Sequence, residues 1–156
     1  MEKKILLLLF FVFTVSCGYE PMLSKKNTIN YNFSISELEL QGDRIVNLKV
    51  KEKLNSYKIN KLDKDFVLKI KTTSKKIILA KNLKGDPTNF KNTTTLNVNI
   101  IINDNVRNKL VLEASTNYKN SKNKFKLRNY EKEIKRNLAE TITNKLIYKL
   151  SNIQWS

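Results

Sequence analysis

The most informative absence from this sequence of 156 residues is that of histidine, which does not occur at all. Ser-His-Asp and Cys-His catalytic centres, histidine general bases and histidine-containing zinc sites are therefore excluded. Glycine is also scarce, and Gly18, Gly42 and Gly85 are too far apart to form a phosphate-binding loop. These absences exclude most common hydrolase mechanisms and argue against a nucleotide-binding enzyme.

Cysteine occurs once, as Cys17, so the chain cannot form an internal disulfide or a metal site that needs several thiolates. The thiol must be inert, paired with another molecule or covalently modified. The carboxylates Glu131 and Glu133 point to different sides of a predicted helix and are not arranged for acid–base catalysis. We therefore predict no catalytic residue, no metal site and no cofactor.

Acidic residues are outnumbered, because 30 lysines and arginines stand against 14 aspartates and glutamates and give a formal net charge of +16. The apolar content of 40% is still enough for one folded domain of ordinary size, so disorder throughout is not expected. A charge of this size attracts polyanions. The alternative is a lysine-rich composition without a specific role.

The amino-terminal segment has the layout of a secretory signal peptide. Lys3 and Lys4 precede an apolar run from Ile5 to Phe13, which ends shortly before Cys17. That run is shorter than the roughly 20 residues that a transmembrane helix needs. We therefore predict a cleaved signal in residues 1–16 and export from the cytoplasm, which argues against a nucleic-acid partner.

The tetrapeptide Thr14-Val15-Ser16-Cys17 resembles the lipobox of bacterial lipoproteins, although Thr14 stands where leucine is usual. This resemblance implies that Cys17 is acylated and becomes the new amino terminus. Gly18 in the next position implies export to the outer membrane. Residues 17–28 then form the acylated terminus and a tether, and residues 29–156 form the domain. The alternative is an ordinary signal peptide in which the cysteine has no part.

Apolar and polar residues alternate in four segments, which predicts β-strands at 29–35, 66–79, 96–102 and 110–118, the second with an irregularity near Ser74. Helical spacing predicts helices over 43–57 and 128–150, although Val46, Leu48 and Val50 also alternate as a strand would. Turns are predicted at 41–43, 84–87 and 103–105. The order β-α-β-β-β-α predicts an α+β two-layer sandwich, with two helices on one face of a four-stranded sheet.

The whole chain resembles the family of lipopolysaccharide-assembly lipoproteins called LptE, especially its alphaproteobacterial branch. The resemblance rests on the run Cys17-Gly18-Tyr19-Glu20-Pro21-Met22, on the element order, and on the segment from Phe125 to Glu131 that enters the last helix. It implies a non-enzymatic, lipid-anchored protein on the periplasmic side of the outer membrane. Such a protein binds lipopolysaccharide and acts as plug and assembly partner of the LptD β-barrel.

In the resembled family, basic residues that bind lipopolysaccharide lie in two regions, the turn between the second and third strands and the loop before the last helix. The candidates implied here are Lys81, Lys84, Lys91, Lys122, Lys124, Lys126 and Arg128. The last four occupy alternate positions and would share one side of an extended loop. Solvated basic loops without a ligand are the alternative for each region.

A second function is compatible with the same sequence. An outer-membrane lipoprotein could act as a carrier or structural protein that binds another anionic lipid or a cell-wall polymer, without any barrel partner. Only the first function requires a large integral β-barrel.

Replacing Cys17 tests the predicted anchor. Since its sulfur is the predicted acylation site, Cys17→Ala should abolish labelling with palmitate and leave an unprocessed or soluble precursor. Metabolic labelling and fractionation of the cell envelope measure both effects. Unchanged labelling would contradict the lipoprotein interpretation.

Overall fold

The computed structural model describes residues 32–58, 61–102 and 105–154. The predicted signal peptide (1–16), Cys17 and the tether (17–28) lie outside these ranges. The described elements are β1 (Ser34–Gly42), α1 (Arg44–Leu54), a 3-10 turn (Asn55–Tyr57), β2 (Asp65–Lys81), β3 (Pro87–Ile102), β4 (Asn105–Lys119) and α2 (Lys124–Ser151). The predicted element order is confirmed. Of the two possibilities for residues 43–57, the structure shows a helix and not a strand.

The four strands form one mixed sheet in the order β1-β2-β3-β4. β2, β3 and β4 each pair antiparallel with the next strand along the chain and so form a meander. β1 pairs parallel to β2, so the chain must cross over between them, and α1 provides this crossover. The α+β two-layer sandwich is confirmed.

β1 extends further along the chain than the predicted first strand, whose residues 29–31 lie outside the described ranges. The strand begins at Ser34 and continues through Gly42, where the sequence predicted a turn. A bulge between Ile35 and Glu37 resets the alternation, so Leu38 and Leu40 come to pair with the core positions Leu68 and Ile70. Strict alternation cannot be followed through such a bulge.

The predicted irregularity near Ser74 is wrong. β2 pairs with β3 without interruption there, and its register shifts only between Ile78 and Lys81. The Ser74 hydroxyl donates a hydrogen bond of 2.9 Å to the Asn92 side chain on the neighbouring strand. A polar residue therefore fills this inward position without ending the strand.

The last helix begins earlier than the sequence predicted. α2 starts at Lys124 because the Asn123 side chain caps it, accepting a hydrogen bond of 2.9 Å from the backbone N–H of Lys126. Lys124, Lys126 and Arg128 therefore lie on a helix and not in an extended loop. Residues two apart on a helix point about 200° apart, so Lys126 points away from Lys124 and Arg128, and only these last two share a side.

Both helices bury one side against the same face of the sheet. The buried side of α2 contains an apolar stripe at helical spacing, formed by Ile134, Leu138, Ala139, Ile142, Leu146 and Leu150. α1 contributes Val46, Val50 and Leu54. The facing sheet residues include Phe66, Leu68, Ile70, Leu96, Val98 and Ile100. The core is thus continuous between the two layers.

Asp43 fixes the start of α1 and connects it to α2. Its carboxylate accepts hydrogen bonds from the N–H groups of Ile45 (2.9 Å) and Val46 (3.2 Å), and Lys135 lies 2.7 Å away. Burial alone would raise the pKa of Asp43, but the bonds from Lys135 and the two amides outweigh it and lower the pKa. The predicted start of this helix at residue 43 is confirmed.

Truncation of the α2 stripe should destabilise the fold strongly. Ile142 is fully buried and Leu138 is 7% exposed, so Ile142→Ala and Leu138→Ala should each lower the free energy of unfolding by about 2 to 5 kcal/mol. Urea denaturation followed by circular dichroism measures this loss. Lys145→Ala, at an exposed position of the same helix, is the control and should change little. Equal stability of all three variants would contradict the two-layer arrangement.

Candidate functional site

Two basic segments that are far apart in the sequence meet at one end of the sheet. The first residues of β3 pair with the last residues of β4, with Asn89 opposite Lys119. Beyond this pair, Asn120 donates hydrogen bonds of 2.7 Å to the carbonyl groups of Thr88 and Pro87, through its backbone and its side chain respectively. We call this end of the sheet, residues 77–91 and 119–128, the tip.

The β2–β3 turn is a compact structure. The Asn82 side chain accepts hydrogen bonds from the N–H groups of Lys84 (3.0 Å) and Asp86 (2.9 Å), and Gly85 takes a positive φ of 85°. This confirms the predicted turn. It holds Lys84 and Leu83 outward, and both are exposed.

The β4–α2 connection is held by its own short side chains. The Asn120 side chain accepts a hydrogen bond of 2.8 Å from the N–H of Ser121, and the Ser121 hydroxyl accepts one from the N–H of Asn123. Lys122 and Lys124 are exposed on this connection and on the first turn of α2. That first turn contains no acidic residue. Its lysines therefore lie near the positive end of the helix dipole, where they do not stabilise the helix.

The structure brings the candidate lysines to one end of the molecule but does not place them all on one face. Lys81 ends β2 and Lys84 lies in the turn. Lys91 is half-buried on β3 between the inward-facing Phe90 and Asn92, so it lies on the face that the helices leave uncovered. The candidate basic residues thus lie on different sides of the tip.

The tip also carries exposed apolar side chains, which the sequence analysis did not predict as part of a site. Ile77, Ile78 and Leu79 are each more than 40% exposed, and Leu83 is fully exposed in the turn. Phe125, 66% exposed, adds an aromatic ring on the first turn of α2. The signal in the sequence was the unbroken run Ile77-Ile78-Leu79, which does not alternate as the rest of β2 does. Exposed apolar residues beside lysines give the tip an amphiphilic surface.

A polar contact network lies beneath the tip. Lys76 Nζ lies 2.5 Å from Glu131 Oε1 and 3.8 Å from the centre of the Phe90 ring. The Tyr118 hydroxyl donates a hydrogen bond of 2.8 Å to the same Glu131 oxygen. Burial raises the pKa of Tyr118, and the hydrogen bond to Glu131 raises it further. We call Lys76, Glu131 and Tyr118 the latch.

The latch lies over a small apolar cluster. This cluster contains Phe90, Tyr118, Leu127, Ile134 and Leu138, so it joins β3 and β4 to the first half of α2. The rings of Phe90 and Tyr118 are tilted against each other with centroids 5.5 Å apart. The cluster and the latch together hold the start of α2 against the sheet.

Residues 32–58, 61–102 and 105–154 contain neither a candidate metal site nor a candidate membrane-spanning helix. These ranges contain no group of three side chains that could bind a metal ion. They also contain no helix with the length and apolar character needed to span a membrane.

Comparison with known proteins places the fold. No protein-family model and no curated protein matches the chain. Among solved structures, the rare lipoprotein B from Shewanella oneidensis is similar with a TM-score of 0.54, at 13% identity over 74% of this chain and 97% of that one. A minor lipoprotein from Acinetobacter baumannii gives a TM-score of 0.59, at 16% identity over 78% of this chain and 91% of that one.

Lipoprotein B from Nitrosomonas europaea is also similar, with a TM-score of 0.56 and 10% identity over 78% of this chain and 86% of that one. The chain has the fold of these bacterial lipoproteins. At such low identities the likeness concerns the fold.

Proposed function

We propose that this protein is a lipid-anchored component of the outer membrane that faces the periplasm, binds lipopolysaccharide, and serves as plug and assembly partner of an LptD β-barrel. The lipobox-like sequence before Cys17 and the shared fold with bacterial lipoproteins support the anchor. The observation that carries the ligand proposal is the amphiphilic tip.

Lipopolysaccharide presents phosphate groups next to acyl chains, and the tip presents matching chemistry. Lys84 and Lys124 are exposed ammonium groups that can pair with phosphates. Ile78 and Leu83 offer apolar surface that acyl chains can cover, which removes that surface from water. A soluble polyanion would use the lysines alone and leave these apolar side chains exposed.

Binding alone would be the mechanism. Tip lysines neutralise the phosphates while apolar side chains shield part of the acyl chains, and both contacts lower the tendency of the amphiphile to aggregate. The sheet supplies the rigidity, because the tip continues the same hydrogen-bonded strands that form the core. No covalent step is required.

The uncovered face of the sheet supports the plug role. Its exposed or half-buried side chains include Lys69, Lys71, Thr95, Asn97 and Asn99. At these positions the face is polar and can remain hydrated, although Val111, opposite Asn97, is an exposed apolar side chain on it. It therefore suits a water-filled barrel interior better than a second apolar layer would.

Reversal of two tip charges tests specific binding. Lys124→Glu with Lys126→Glu should weaken lipopolysaccharide binding about tenfold or more, since two charges on the tip that attract the phosphates become repulsive. Lys51→Glu with Lys145→Glu makes the same change in net charge at exposed positions of α1 and α2 away from the tip. Titration with purified lipopolysaccharide at several salt concentrations measures both variants, and circular dichroism checks folding.

The control positions were chosen from the ion pairs. Lys49 and Lys53 lie 3.5 and 2.6 Å from Glu140, so their reversal would also break contacts between the helices. If the tip variant and the control variant lose the same affinity at every salt concentration, only the overall charge matters and the tip is not a binding site.

Co-purification tests the barrel partner. Affinity capture of the full chain from detergent-extracted envelopes should recover a large integral β-barrel at one-to-one stoichiometry, because a plug must occupy its barrel stably. Mass spectrometry and a stoichiometric gel identify it, with a mock capture as control. Recovery of no such barrel, together with binding of another anionic lipid or a cell-wall polymer, would favour the carrier alternative.

A further inference from the structure

We propose that Glu131 is a positioning residue for the tip: through Lys76 and Tyr118 it holds the two basic segments together and thereby strengthens binding of an anionic lipid, although its own charge repels that lipid. This inference rests on the proposed function. It assigns a role to a carboxylate that the sequence gives no reason to place in a binding site for anions.

Three secondary-structure elements meet at Glu131. Its Oε1 atom lies 2.5 Å from Lys76 Nζ on β2 and accepts a hydrogen bond of 2.8 Å from the Tyr118 hydroxyl on β4. Glu131 itself belongs to α2. One carboxylate therefore connects two strands and a helix.

Each latch residue lies close in the chain to one of the two basic segments of the tip. Lys76 precedes Lys81 and the β2–β3 turn by a few residues on the same strand. Tyr118 comes two residues before Asn120, which starts the β4–α2 connection. Glu131 follows Arg128 by less than one helical turn. Movement of any latch residue would thus shift one of the two basic segments relative to the other.

The latch is partly shielded from water. The side chains of Glu131 and Lys76 are 21% and 39% exposed, and the ammonium group of Lys76 also lies over the Phe90 ring. An ion pair with a second contact from an aromatic face has a more restricted geometry than a free surface pair. Lys76 is therefore held in place and is not free to bind a ligand as the outer lysines are.

The direction in which Glu131→Gln changes the affinity for an anionic lipid distinguishes a positioning role from a simple electrostatic effect. Glu131→Gln keeps the size of the side chain but removes one negative charge near a basic tip. If only the electric field matters, an anionic lipid should bind more tightly to this variant. If the latch positions the tip, the same variant should bind less tightly.

Glu133→Gln provides a matched control. Glu133 is on the same helix, carries the same charge, and is 56% exposed, and its ion pair of 2.6 Å is with Arg136 of the same helix. We expect Glu131→Gln to weaken binding of purified lipopolysaccharide about two- to fivefold, in line with the loss of a partly exposed ion pair. Glu133→Gln should leave the affinity unchanged or slightly increased.

A charge-neutral variant makes the test independent of the field. Tyr118→Phe removes only the hydroxyl that donates to Glu131, and it should weaken binding in the same direction with no change in net charge. Both latch variants should also show a shallower dependence of affinity on salt, because fewer lysines contact the ligand at once. A purely structural role would lower the melting temperature without changing this dependence.

The outcomes are distinguishable. Tighter binding by Glu131→Gln, equal to that of Glu133→Gln, would overturn the positioning role while leaving the proposed function intact. Unchanged affinity of Tyr118→Phe would also overturn it. Failure of the wild-type chain to bind lipopolysaccharide would overturn the proposed function and the inference with it. If Glu131→Gln does not fold, Tyr118→Phe decides the question alone.

Discussion

The structure depends above all on β3, which pairs with β2 on one side and β4 on the other along nearly its whole length. The half of β3 that contains Leu96, Val98 and Ile100 lies under the helices and belongs to the main core. The other half extends to the turn that carries Lys84. Because hydrogen bonds run without a break between the two halves, the core stabilises the tip through β3 in addition to the apolar contacts that the tip makes itself.

Between the main core and the tip, the inward side of β3 is polar. Asn92 and Thr94 are both buried there, and the Asn92 side chain is bonded to Ser74. Among the described residues, the Thr94 hydroxyl is buried without a hydrogen-bond partner, which costs stability. Beyond this stretch lies the cluster around Phe90 and Leu127. The tip therefore has its own small packing unit, separated from the main core by polar side chains.

Much of the fold could be predicted from the sequence, and the failures share a cause. Regular periodicity identified α1, the α2 stripe and the meander, since those residues follow one spacing over several turns or pairs. Periodicity failed at the bulge after Ile35 and at the cap of Asn123, where one residue changes the local geometry. It could indicate both basic segments but not the ion pair between Lys76 and Glu131, because residues 55 positions apart meet only through the folded topology.

The charges around the start of α2 are unfavourable for the helix and favourable for the anion binding proposed at the tip. Lys124 and Lys126 stand at the positive end of a helix dipole without an acidic residue in the first turn, which is unfavourable for the helix. Glu131 would stabilise the helix better one turn earlier, yet its position lets it reach Lys76 and Tyr118 instead. The first turn is thus left with uncompensated positive charge, and the second turn fixes it to the sheet. The first turn thus presents free cations beside a fixed ion pair, which is the arrangement that the proposed binding of an anionic ligand requires.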